Sequence, residues 1–233
     1  MASKFFGWLA PARKKAPEPM DQSRFILHIM VDCSTSMTPV ASAVGNAGQQ
    51  FLHVVGEWWR KTGRNPENFT VTTTIFNRSV SEIERNVPIT RAVRWSDHLY
   101  WQHRAQGTRY RDAIVAGVSQ VVSAQHAALA EGTGVMAALL ILSDGEDSGS
   151  RCAPVEAAKA IELARALDIT VIDIHIGDEW EQERGRTESL ALGVDPRSTF
   201  TGTRDRAGVD DVMRAASESI ASTRTVHRPS SEL

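Results

Sequence analysis

Apolar and polar positions follow two periods along this chain, and the switches between them mark out its elements. Residues 24–31, RFILHIMV, form a nearly unbroken apolar run, the pattern of a strand covered on both faces. Within Val40 to Arg60 the residues Val44, Ala47, Phe51, Val54, Val55 and Trp58 recur at helical spacing, and Gly63-Arg64-Asn65-Pro66 closes that helix. Phe69–Phe76 (FTVTTTIF) is rich in β-branched residues and predicts a strand. Ser79–Val87 predicts another, reached by a tight turn near Asn77 and placed at a sheet edge. Pro88 to Gly107 reads as irregular and polar, and it holds Trp95, His98, Tyr100, Trp101 and His103.

Helical spacing returns from Tyr110 to His126 through Ile114, Val118, Val121 and Val122. A buried strand at Val135–Leu142, a helix at Val155–Leu167 and a strand at Ile169–Ile176 follow. The pattern closes with a helix within Glu179 to Leu192, a short strand at Ser198–Thr201, and a helix carrying Val209, Val212, Met213, Ala216 and Ile220. No internal repeat is visible. This order predicts an α/β fold of Rossmann-like, doubly wound type: a mostly parallel sheet with one antiparallel edge strand and helices on both faces. Residues 21–222 form the expected domain, between a flexible leader (1–20, with Pro11, Pro17 and Pro19) and a flexible tail (223–233).

Composition narrows the picture. The chain has 233 residues, 42% of them hydrophobic and 23% charged, enough for one domain with a well-covered core. A formal net charge of -2 argues against a nucleic-acid binder driven by bulk electrostatics. The longest purely apolar runs are strand-sized, so no membrane span is expected. Cys33 and Cys152 make neither a disulfide framework nor a zinc site, which points to a reducing, cytoplasmic setting. FFGWLA near the start is short, and its basic cluster Arg13-Lys14-Lys15 follows the apolar residues instead of preceding them, unlike a secretory signal. Phe5, Phe6, Trp8 and Leu9 could instead graze a membrane or dock on a partner.

The candidate chemistry lies at strand ends, where open α/β sheets bind ligands. The first strand runs into Asp32-x-Ser34-x-Ser36, an oxygen-rich loop of the kind a hard divalent cation prefers. Thr108 precedes a helix, and Asp144 follows an apolar strand. Each piece alone has an ordinary reading. Asp and Ser cap helices, with Ser36 or Thr38 placed to cap one near Pro39, and Ser143-Asp144-Gly145 is a common turn. Glu146, Asp147, Arg109 and Arg111 read as solvated charges, and His28 and His175 as hydrogen-bonded core residues. No P-loop is present, and no Ser-His-Asp set follows from spacing.

Together the motifs DCSTSM, GTRYRDAI and SDGEDS resemble those of von Willebrand factor type A (vWA) domains with a metal-ion-dependent adhesion site (MIDAS), over roughly residues 22–222. The standalone intracellular bacterial members are the most similar in pattern. The resemblance implies that Ser34 and Ser36 bind an ion directly, Thr108 directly or through water, and Asp32 and Asp144 directly or through ordered water. Mg²⁺ suits this set best, Mn²⁺ can substitute, and Ca²⁺ usually wants more ligands. Thr35 departs from the glycine of many relatives, and Cys33 fills a variable position as a packed residue. The implied function is non-catalytic: a protein-interaction adaptor in signalling, stress response or assembly, taking a partner's Asp or Glu on the metal. Kinases, phosphatases and AAA+ ATPases are the partner types such proteins often accompany. The alternatives are a metal-dependent phosphohydrolase, against which Ser34 stands where a second Asp is needed, and a structural subunit with a vestigial site. Extracellular adhesion shares the fold but clashes with the expected setting.

Overall fold

A computed structural model of the chain describes residues 22–92, 97–145 and 147–222. The leader and tail expectations fall outside these residues. Six strands form one sheet: β1 (Arg24–Asp32), β2 (Phe69–Phe76), β3 (Val80–Pro88), β4 (Val135–Ser143), β5 (Thr170–Ile176) and β6 (Thr199–Gly202), in the order β3-β2-β1-β4-β5-β6. All neighbours are parallel except β2 and β3. The helices are α1 (Ala41–Lys61), α2 (Asp97–His103), α3 (Tyr110–Ala130), α4 (Pro154–Ala166), α5 (Glu179–Leu192) and α6 (Arg206–Ser222).

The apolar run of β1 divides between two cores because successive side chains leave a strand on opposite faces. Phe25, Leu27, Ile29 and Val31 pack with α1 and α6, while Ile26 and Met30 pack with α3 and α4. At the amino end of the sheet Phe25, Trp59 and Phe69 pack ring on ring, with centroids 4.7 to 5.8 Å apart. The Trp59 indole donates to the Asn65 carbonyl at 2.8 Å, fixing the exit of α1. His28 lies sealed on the α3 face, its Nε2 2.9 Å from Thr74 Oγ1. Burial lowers its pKa to about 4, so it is neutral near pH 7.

The structure corrects the sequence reading in two places here. The stretch read as irregular contains α2. α3 is long and apolar enough, by length and composition, to cross a membrane, although its purely apolar runs are strand-sized and no span was expected. Its inner face, Tyr110, Ile114, Val118 and Val121, is instead buried in the second core.

Candidate metal centre

β1 and β4 are neighbours, yet the chain continues from β1 toward β2 and from β4 toward β5, in opposite directions across the sheet. This reversal opens a crevice at the carboxyl ends of the central strands. Asp32 is the last residue of β1, and Asp144 directly follows β4. Both are buried, as are Ser34 and Thr108, while Ser36 is half-buried.

Main-chain hydrogen bonds stitch the loops together. Ala105 N–H donates to the Cys33 carbonyl at 3.2 Å, beside a parallel bridge between Ser34 and Ala105. Arg109 N–H donates to the Asn77 carbonyl at 2.9 Å. Thr108 and Ser148 bond reciprocally: Ser148 N–H donates to the Thr108 carbonyl, and Thr108 N–H to Ser148 Oγ, each at 3.0 Å. From below, the Tyr100 hydroxyl donates to the Ser34 carbonyl at 2.6 Å. The Asp32, Thr108 and Asp144 segments, 76 and 36 residues apart in sequence, thus form one cluster.

The ordinary readings of these hydroxyls do not hold. The 3₁₀ turn Thr35–Val40 and helices α1 and α3 all begin without a side-chain cap, so Ser34, Ser36 and Thr108 cap nothing. The tight turn after β4 is held by Ser143, whose Oγ accepts the Gly145 N–H at 3.1 Å. Asp32 does serve its own loop, since Oδ1 accepts the Ser34 N–H at 2.6 Å. Ser34 Oγ and Ser36 Oγ lie 2.9 Å apart. That is a hydrogen-bond length, and also the spacing of adjacent oxygens about an octahedral ion with bonds of about 2.1 Å. Among the described residues no three His, Cys, Asp or Glu side chains gather at one point, so a cation here would depend on hydroxyls as well as carboxylates. Two carboxylates with three neutral hydroxyls fit a hard divalent ion, offsetting its charge while leaving it electrophilic.

Thr35 tolerates its position because the loop asks for no left-handed backbone there; among the described residues the non-glycine positive φ values belong to Asn86 and Asp168. Cys33 is buried, and burial with the nearby Asp32 pushes its thiol up to about 12, so it is a packed residue and not a nucleophile.

Several neighbours behave differently from their sequence reading. Asp147 and Arg111, read as solvated, pair at 2.5 Å and fasten the β4 loop to α3. Burial alone would raise the Asp147 carboxyl, but hydrogen bonds from Ser150 and Arg111 hold it below its ordinary range. Tyr100 is buried under the site, whereas Trp101 is 51% exposed beside it, with the Arg104 guanidinium over its ring. Trp95, Glu146 and the His98 side chain lie outside the described residues.

Sequence reasoning missed a second polar cluster behind the first. Tyr110, Asp173, His175 and Ser189 are each fully buried. Ser189 Oγ donates to Asp173 at 2.5 Å and lies 2.6 Å from His175 Nε2, and the Tyr110 hydroxyl also donates to Asp173. Burial opposes a charge on Asp173, yet His175, Ser189 and Tyr110 keep its carboxyl below the usual range. The cluster touches the candidate site through Ser143 Oγ, 3.3 Å from His175 Nδ1. The nearest sequence signal was a pair of polar residues, Asp173 and His175, within an apolar strand. Backbone meets backbone where Gly145, at φ +76°, abuts Gly185 of α5; a Cβ on Gly145 would fall 2.6 Å from the Gly185 Cα.

Among solved structures the chain is similar to proximal thread matrix protein 1 of the mussel byssus in a form with a zinc-occupied MIDAS motif (12% identity, TM-score 0.59, covering 87% of this chain and 47% of that one). It is similar to the manganese-loaded TRAP protein of Plasmodium vivax (11% identity, TM-score 0.60, 89% and 76%). A third match is a von Willebrand factor type A protein from Catenulispora acidiphila (17% identity, TM-score 0.53, 83% and 42%). Of several matched chains it spans only 30% to 50% of the length. No family model matches the sequence, and no curated protein does. The fold is that of the vWA domains, as the motifs implied.

Proposed function

We propose that this chain is a protein-interaction domain that holds a divalent cation, Mg²⁺ first, through Asp32, Ser34, Ser36, Thr108 and Asp144. The observation that carries this reading is the gathering of three hydroxyls that cap no helix with two carboxylates at the sheet's switch point. The zinc-occupied MIDAS of the mussel protein and the manganese-loaded parasite protein support a divalent ion in this fold. The cation would supply an electrophilic position for a partner's Asp or Glu. The chain's own part is to orient the oxygens and to present a rim, including Trp101 and Arg104, that is complementary to that partner. We read the setting as cytoplasmic from the two free cysteines, and the role as that of an adaptor, with kinases, phosphatases or AAA+ ATPases as partner types.

A hydrolase is the rival reading, since Ser189, His175 and Asp173 meet. Full burial of all three, with Ser189 bonded to both partners, favours a structural network over a reactive one. The test is thermal unfolding of wild type and Ser34→Ala in EDTA, Mg²⁺, Mn²⁺ and Ca²⁺. An ion at about 100 times its Kd stabilises by about 2.7 kcal/mol, an upward shift of several degrees confined to wild type. No shift for any ion would leave a vestigial site. A metal-independent esterase rate abolished by Ser189→Ala would favour that hydrolase, and a Mg²⁺-dependent phosphatase rate abolished by Asp32→Asn would favour a metal-dependent phosphohydrolase instead.

A further inference from the structure

An apolar groove of about 380 Å³ runs between α1 and α6, in a region of the fold separate from the metal loops. Its floor includes Phe51, Trp58 and Met213, and Val54 lies in it 43% exposed. Val54 was expected on the buried stripe of α1. It belongs to that stripe, but α6 does not close over it.

Three features identify the occupant. The first is position: the described chain begins at Gln22, and Phe25, three residues on, packs edge-on against Trp58 with ring centroids 5.9 Å apart. Trp58 lines the groove, so the first described residues lie beside its wall. The second is composition: Phe5, Phe6, Trp8 and Leu9 offer an apolar cluster matched to an apolar floor. The third is charge. The groove's rim carries Asp210, Asp211 and Glu218; Arg214 pairs with Asp211 at 2.7 Å and Arg206 with Asp210 at 3.6 Å, which leaves one carboxylate in excess. Residues 1–20 carry Lys4, Arg13, Lys14 and Lys15 against Glu18 alone. Reach is ample, since the stretch from Leu9 to Gln22 can extend about 40 Å, and the groove wall from Trp58 to Ala47 is about 16 Å of helix.

We infer that the FFGWL segment of the leader docks in the α1/α6 groove of its own chain, with the basic cluster on the acidic rim. This inference is independent of the metal reading. The test uses full-length protein and a fluorescent peptide of residues 2–15, followed by anisotropy. A variant with Phe5, Phe6, Trp8 and Leu9 all changed to Ser should bind the peptide saturably. Wild type should bind it at least about ten-fold more weakly, because its tethered leader competes at high effective concentration. Adding Val54→Asp to the four-serine variant should abolish peptide binding while an unchanged far-UV spectrum and melting temperature show that this variant is folded. Equal binding by wild type and the four-serine variant would overturn the inference. So would peptide binding indifferent to Val54→Asp, or wild type that sediments with anionic phospholipid vesicles, which would place the leader on lipid.

Discussion

Two polar clusters built from the same kinds of side chain lie back to back in this fold. At the mouth, Asp32, Ser34, Ser36, Thr108 and Asp144 gather around the ends of β1 and β4. Behind them, Tyr110, Asp173, His175 and Ser189 bond to one another inside the protein. The difference lies in where the remaining hydrogen-bonding capacity points. The inner cluster is sealed at full burial with its members bonded to one another, so its worth is stability. The outer one keeps hydroxyls that serve no helix, which is why we propose it for binding. Ser143 joins the two, bonding His175 on one side and the Gly145 turn on the other.

The largest effect should come from breaking the inner cluster. Asp173→Ala leaves Tyr110, Ser189 and His175 buried without their shared acceptor, and should cost about 3–5 kcal/mol in urea unfolding. Asp144→Ala in EDTA should cost far less, and equal losses would erase the distinction.

The pH response should separate sealed groups from open ones. His28 is neutral when folded, with a pKa lowered to about 4, while in the unfolded chain it protonates near 6.5. The unfolded state therefore binds more protons between these values. Stability from this group is complete above pH 6.5 and is lost as the pH falls toward 4, by about 3 kcal/mol in all. Unfolding free energies of wild type and His28→Gln from urea titrations across that window should diverge by this amount. Parallel curves would mean that His28 does not titrate in the folded chain as its burial requires.

The smallest effect concerns the support beneath the mouth. Tyr100→Phe removes the donor to the Ser34 carbonyl and the contact with Thr38, and should cost about 1 kcal/mol. It should also shrink the Mg²⁺-dependent rise in melting temperature. A variant that melts like wild type in every ion would reduce Tyr100 to ordinary packing.

The outer cluster was legible in the sequence because each member stands beside a strong local signal. Asp32 ends an apolar run, Asp144 follows another, and Thr108 precedes a helical stripe. The fold was legible for the same reason, since a central strand covered on both faces has no choice but an apolar run. The inner cluster left no such trace. Tyr110 and Asp173 are 63 residues apart, Arg111 and Asp147 36 apart, and nothing local announces either pairing. α2 escaped notice because seven residues, DHLYWQH, are too few to show a helical period. Val54 was placed with the buried stripe because periodicity reports which face a residue occupies, and not whether a neighbouring helix covers it.

Main-chain groups tie Cys33 to Ala105, Asn77 to Arg109 and Thr108 to Ser148. Such links are indifferent to which side chains the loops carry. The scaffold of the mouth is therefore separable from its chemistry. Exchanging a hydroxyl for a carboxylate at Ser36 or Thr108 should retune ion selectivity toward larger, more highly coordinated cations while the loops hold their course. The site is, in effect, a fixed socket with interchangeable contacts.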